Sequence, residues 1–175
     1  MALTLSSPTD YETFQRDSVT GLADITITGT GTVDDVTVQA KWGDGDWTSV
    51  GTVSGGSFSG TLTDQASGQG TLSIREGTGA TEDTATFVGV GDVFVLIGGS
   101  LSSGRGTNNQ SYTHGSLKAA NFTNAYTWAE LTDPCDSNAG QLDAVSSDGN
   151  AGGSVWPLVA TFFMAEYGYQ GRRRS

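Results

Sequence analysis

In Ala23-Asp24-Ile25-Thr26-Ile27-Thr28-Gly29 every second residue is turned to the same side of an extended chain, with the isoleucines on one face and Asp24, Thr26 and Thr28 on the other. That two-residue period is the mark of a half-buried strand. It returns at residues 36–42, 47–53, 57–62, 70–75 and 84–88, and the intervals hold turn formers: Gly43-Asp44-Gly45-Asp46, Gly55-Gly56 and the glycine-containing stretch 77–80. Short strands joined by tight turns bury their apolar faces most economically as two facing sheets. Residues 8–90 are therefore expected to form an N-terminal Ig-like β-sandwich, and the chain as a whole to be mainly β. Composition agrees, because Gly supplies 26 of 175 residues and Pro only 3.

Charge and cysteine content narrow the function classes. Nineteen acidic residues against 8 basic ones give a formal net charge of −11, a field that repels a phosphate backbone, so no nucleic acid is expected as partner. The run Arg172-Arg173-Arg174 falls in a basic tail, residues 169–175, read as solvated. Cys135 is the sole cysteine, which leaves no intrachain disulfide and no Cys-rich zinc site. The first residues show neither a basic start nor an apolar run, so no signal peptide is visible, and no segment approaches the ~20 apolar residues of a membrane span. A virion or extracellular surface is the expected location, reached by release of a particle or by a dedicated export route. No cofactor is expected.

Two features of the first region invite a functional reading. Asp44 and Asp46 alternate as calcium ligands do, but no Glu follows at the spacing of a calcium loop, and a Gly-Asp hairpin turn explains the same letters; no metal is expected. Trp42 and Trp47 flank that turn. One is expected in the core and the other across the hairpin, with a sugar-stacking platform as the competing reading.

The pattern changes at residues 89–92. Residues 93–97, Val-Phe-Val-Leu-Ile, are apolar at every position, as in a strand covered on both faces, and run into Gly98-Gly99-Ser100. A buried strand ending in glycines and a serine places Ser100 at the carboxyl edge of a sheet, where open α/β folds bind ligands. Farther on, Ser154 is a helix N-cap, Pro157 lies in the first turn, and Leu158, Val159, Phe162, Phe163 and Ala165 make an apolar stripe, which predicts a helix over 155–167 ended by Gly168. Between the two, residues 107–150 read as a long loop with at most a turn or two of helix around 126–131.

The stretch VGVGDVFVLIGGSLSSGRG, residues 88–106, resembles block I of the SGNH hydrolases and, within them, the sialate O-acetylesterase-like carbohydrate esterases. Their usual form is a Gly-Asp-Val strand, then Gly-Gln-Ser-Asn, a short spacer and Gly-Arg-Gly. Ser100 matches the nucleophile and Gly104, Arg105 and Gly106 match outright, while Gly99 stands where Gln is usual and Leu101 where Asn is usual. Members often carry a β-sandwich directly before this block. Residues 150–165 are similar to the family's second block, in which a glycine, here Gly153 with Gly152 as the alternative, donates an oxyanion-hole N–H ahead of a helix. The resemblance thus implies an incomplete α/β, SGNH-like segment over residues 91–168.

A serine nucleophile needs a base within hydrogen-bond reach. The family takes it from a C-terminal Asp-x-x-His element, and that element is absent here: the sequence as given ends at Ser175 and its sole histidine is His114, fourteen residues after Ser100. His114 does not match the family's histidine and reads as an exposed loop residue, although Asp133, Asp136 or Asp143 would be available to orient it. The function expected first is a non-catalytic structural or decoration subunit of a phage particle or bacterial surface assembly, derived from the front half of a carbohydrate esterase, with self-association or other assembly subunits as partners. The competing expectations are an O-acetylesterase acting on an acetylated glycan through Ser100, and a carbohydrate-binding module.

Overall fold

A computed structural model describes residues 3–80, 83–96, 104–113, 115–135 and 152–167. The chain forms two compact units, Met1–Val93 and Phe94–Ser175. Its described residues are mainly β, with three sheets and one short helix.

In the first unit the strands are β1 (Thr4–Ser7), β2 (Thr13–Gln15), β3 (Leu22–Thr30), β4 (Thr37–Trp42), β5 (Thr48–Thr52), β6 (Ser57–Ala66), β7 (Gly68–Glu76) and β8 (Asp83–Gly91). A three-stranded antiparallel sheet has the order β1-β3-β6, and a curled, mixed five-stranded sheet the order β2-β8-β7-β4-β5. The alternation read from the sequence is the alternation of burial: Ile25 and Ile27 are fully buried while Asp24 and Thr26 are exposed. Ile25, Ile27, Phe58 and Leu62 from the smaller sheet meet Val38, Leu72, Ile74 and Val88 from the larger in one apolar core.

Bulges bend this unit where polar side chains can secure them. In β6 one extra residue opposite β3 leaves Asp64 with φ 56°, and its N–H donates to Asp24 Oδ1 at 2.9 Å. In β8 an extra residue opposite β7 puts Phe87 at φ 56°, where its ring stacks on Tyr11 at 5.0 Å between centroids. The chain turns from β5 into β6 through Gly55 and Gly56, both with positive φ, as a two-residue hairpin turn requires. Beyond the Ser54–Ser57 bridge β5 and β6 part into different sheets. They part narrowly, because Gly60 lies against the Val50 backbone and Gly51 against Ser59 O with no room for a Cβ.

Two sequence expectations are corrected here. The strand predicted over 84–88 continues to Gly91, because β2 pairs with its last residues in parallel: Thr13 with Gly89, Phe14 with Val90 and Gln15 with Gly91. The apolar run that follows is not a buried strand. Residues 93–96 belong to no strand, and Val95 is 85% exposed. A strand apolar on both faces needs hydrogen-bonded neighbours, and none lies beside this one among the described residues. Ile97 lies outside them.

The second unit contains β9 (Ala120–Phe122), β10 (Trp128–Glu130) and α1 (Trp156–Tyr167). The helical turn expected around 126–131 is instead the turn and second arm of a β-hairpin. Phe122 stacks on Tyr126 and meets Trp128 edge-on there, and Lys118 bridges to Glu130 at 2.7 Å. Aromatic pairing across the two arms outweighs the weak helical signal of so short a segment. The helix begins where its cap predicts: Ser154 Oγ accepts the Trp156 N–H at 3.3 Å, and Pro157 is fully buried in the first turn. No α/β unit is present among the described residues, which hold a single helix and no parallel strands in this unit.

Candidate functional site

The residues singled out for chemistry divide into those the structure describes and those it does not. Ser100, with Gly98, Gly99 and Leu101 around it, lies outside the described residues, as do His114, Asp136, Asp143, Gly168 and the basic tail. Gly104, Arg105, Gly106, Asp133, Gly152, Gly153 and Ser154 are described, and all fall in the second unit.

Two glycine stretches far apart in sequence come together. The Gly106 N–H donates to Gly153 O at 2.8 Å, and the Gly153 N–H donates back to Gly106 O at 3.0 Å. This is an isolated antiparallel bridge with both bonds made. Glycine is demanded on each side of it. A Cβ at Gly106 would stand 2.7 Å from Gly153 O, one at Gly152 would stand 2.6 Å from Gly106 O, and one at Gly153 would collide with Asn108 O. Gly104, at φ 84°, adopts backbone that a side chain would strain. The Gly-Arg-Gly and Gly-Gly motifs thus form one close-packed backbone clasp. Gly153, the expected oxyanion donor, has its N–H directed to a carbonyl of its own chain.

Behind the clasp lies Asp133. Its Oδ2 accepts the backbone N–H groups of Gln110 and Ser154, each at 2.8 Å, which ties the segment after the first glycine motif to the start of α1. Burial pushes the Asp133 carboxyl up, but the hydrogen bonds from Ser154 and Gln110 outweigh it and hold the group below its ordinary value. Of the three carboxylates that the sequence offers to orient His114, Asp133 is the one described; its Oδ2 is engaged with backbone donors, while its Oδ1 is buried with no hydrogen-bond partner among the described residues. Ser154 Oγ lies 3.1 Å from Cys135 Sγ. Burial, reinforced by the Asp133 charge, pushes the Cys135 thiol up, so at neutral pH it is protonated and a poor nucleophile. Asp133, Ser154 and Cys135 make a structural knot at the helix N-terminus. Sequence reading took Ser154 as a cap and missed the knot, for which the one local signal is a carboxylate available to bare N–H groups.

In the first unit Trp42 packs against the core and its Nε1–H donates to Val88 O at 3.0 Å. Trp47 lies across the hairpin beneath Arg75, whose guanidinium carbon is 4.2 Å from the ring centroid, with the Lys41 ammonium at 5.4 Å. Arg75 is itself held by Gln39 Oε1 through Nε at 2.9 Å and Nη2 at 2.7 Å. A sugar ring stacking on that face of Trp47 would have to displace a guanidinium fixed in place by two hydrogen bonds. Asp44 and Asp46 are exposed in the turn after β4, and among the described residues no group of three or more His, Cys, Asp and Glu side chains comes together.

Compared with known proteins, the sequence matches no family model and no curated relative.

Proposed function

We propose that this chain is a non-catalytic structural or decoration subunit of a phage particle or bacterial surface assembly, built on the front half of an SGNH-type carbohydrate esterase. The observation that carries the reading is the Gly106–Gly153 clasp. An oxyanion hole works through N–H groups aimed at empty space where charge will develop. Here the Gly153 N–H meets Gly106 O at 3.0 Å, and turning it toward a substrate would break a paired bridge.

The first unit is read as an Ig-like β-sandwich of the kind that precedes block I in this family. Supporting it are the facing of a three-stranded and a five-stranded sheet over one core and the passage of the chain from the smaller sheet to the larger between β1 and β2. An acidic, turn-rich β unit gives an assembly subunit a well-solvated outer surface.

Hydrolysis of p-nitrophenyl acetate by the intact chain and by Ser100→Ala tests the reading. The expected rates are equal and close to that of buffer. Turnover that Ser100→Ala abolishes would establish an esterase instead.

A further inference from the structure

Helix α1 is apolar on more than the side it buries. Pro157 is fully buried, Trp156, Val159, Ala160, Thr161 and Met164 are half-buried, and Thr161 Oγ1 accepts the Thr113 N–H at 3.2 Å, so one side of the helix is turned to its own unit. Four further bulky apolar side chains are exposed: Val155 at 50%, Leu158 at 51%, Phe162 at 57% and Phe163 at 40%. Phe94, 62% exposed, stacks on Phe163 at 5.5 Å, and Phe163 meets Phe162 at 6.2 Å, which joins helix and preceding segment into one continuous patch.

We infer that this face of α1 is a self-association surface, covered by the same face of a second copy of the chain. Three arguments select that occupant. Weighted by these exposures, three aromatic side chains of ~150–250 Å² each together with half of Val155 and Leu158 amount to roughly 500 Å² per copy, so two copies bury on the order of 1,000 Å², the size of a weak interface. Residues 155–165 carry no ionisable group, although the whole chain bears a net charge of −11. Pairing α1 against α1 therefore removes apolar surface from water without setting carboxylate against carboxylate. A two-fold contact is self-complementary by construction, which suits a patch whose own chemistry is uniform.

The inference deepens the reading of the chain as an assembly subunit and rests on it, but the two fail separately. Ser100-dependent esterase activity in a dimer would end the functional reading and leave the interface. An inert monomer would end the interface and leave the functional reading.

Sedimentation velocity on the full chain from ~1 µM to ~100 µM, the span in which so small an interface should populate a dimer, is the test. The mass should rise from one chain toward two. The dimer should tighten with added salt, because the ~10 Å Debye length at ~0.1 M screens the repulsion between like-charged copies and leaves apolar burial intact. Leu158→Asp with Phe162→Asp should remain a single chain throughout. Where the aspartates unfold the helix, Leu158→Ala with Phe162→Ala replaces them and should weaken association at least tenfold with the far-UV circular dichroism unchanged. A single-chain mass at every concentration and salt would overturn the inference, as would an oligomer that both variant pairs leave intact.

Discussion

The carboxylate of Asp133 holds the backbone N–H of Ser154 at 2.8 Å across 21 residues of sequence, and so fixes where helix α1 begins. The same oxygen holds the Gln110 N–H. Asp133→Ala removes the acceptor from both donors, and bonds of this charge-assisted kind contribute about 1.5–3 kcal/mol each. Hydrogen exchange at Gln110 and Ser154 should speed markedly in the variant, while the amides of β3 and β7 in the first unit keep their protection.

The same contact sets a pH dependence. The Asp133 carboxyl lies below its ordinary value of 3.8 in the folded chain. A group lowered by folding stabilises the fold fully above its unfolded value and loses that contribution as pH falls through the folded value. Asp92, lowered chiefly by its hydrogen bond from Arg16, adds to the trend in the first unit. Thermal melting followed between neutral pH and pH ~3 should show stability flat at first and falling only below pH ~4. In Asp133→Ala the fall should be shallower for the second unit.

Gly60 and Gly21 separate two roles of glycine. A Cβ at Gly60 would run into the Val50 backbone, whereas one at Gly21, φ 73°, would meet nothing within 4 Å. Gly21→Ala should therefore cost only the ~1 kcal/mol of a left-handed backbone. Gly60→Ala forces β5 and β6 apart and should cost more than ~3 kcal/mol, as overpacking against immovable backbone does. Denaturant midpoints of the two variants check the ranking.

The parts of the fold legible in the sequence are those governed by local rules. Strands β3, β4, β6 and β7 alternate because each has one face on the core, and α1 shows its Ser154 cap and its Pro157 at the proper places. What escaped depends on distant partners. Strands β1 and β2 are only 4 and 3 residues long, too short to display a period, and β2 reveals itself only by pairing with β8. The run at 93–96 is apolar at every position, as in a buried strand, yet among the described residues no strand pairs with it, and no periodicity encodes that. The glycine clasp was half legible. Both motifs stand out in the sequence, but the mutual hydrogen bonds that occupy Gly153 arise from residues 47 positions apart.

Trp42→Phe tests the indole's part in the first unit. Its Nε1–H bond to Val88 O is made by a side chain packed on the core, and the ring covers Gly68, where a Cβ would lie 3.2 Å from it. Loss of the donor and of the ring volume should lower stability by about 2 kcal/mol without altering the strand content seen by circular dichroism.

Cys135 should resist alkylation. Burial, with the Asp133 charge beside it, raises the thiol and leaves little thiolate at neutral pH. Iodoacetamide should modify the native chain slowly and the unfolded chain at the rate of an ordinary cysteine, as read by intact mass. Equal rates in the two states would mean that the knot at the start of α1 is not formed.

The most direct measurement is covalent capture of the serine. A fluorophosphonate reacts with a serine that a base has activated, and an unassisted serine resists it. Incubated with excess probe beside an authentic serine esterase as positive control, the intact chain should keep its mass while the control is fully labelled. An adduct on the native chain that maps to Ser100 and disappears in Ser100→Ala would contradict the non-catalytic reading.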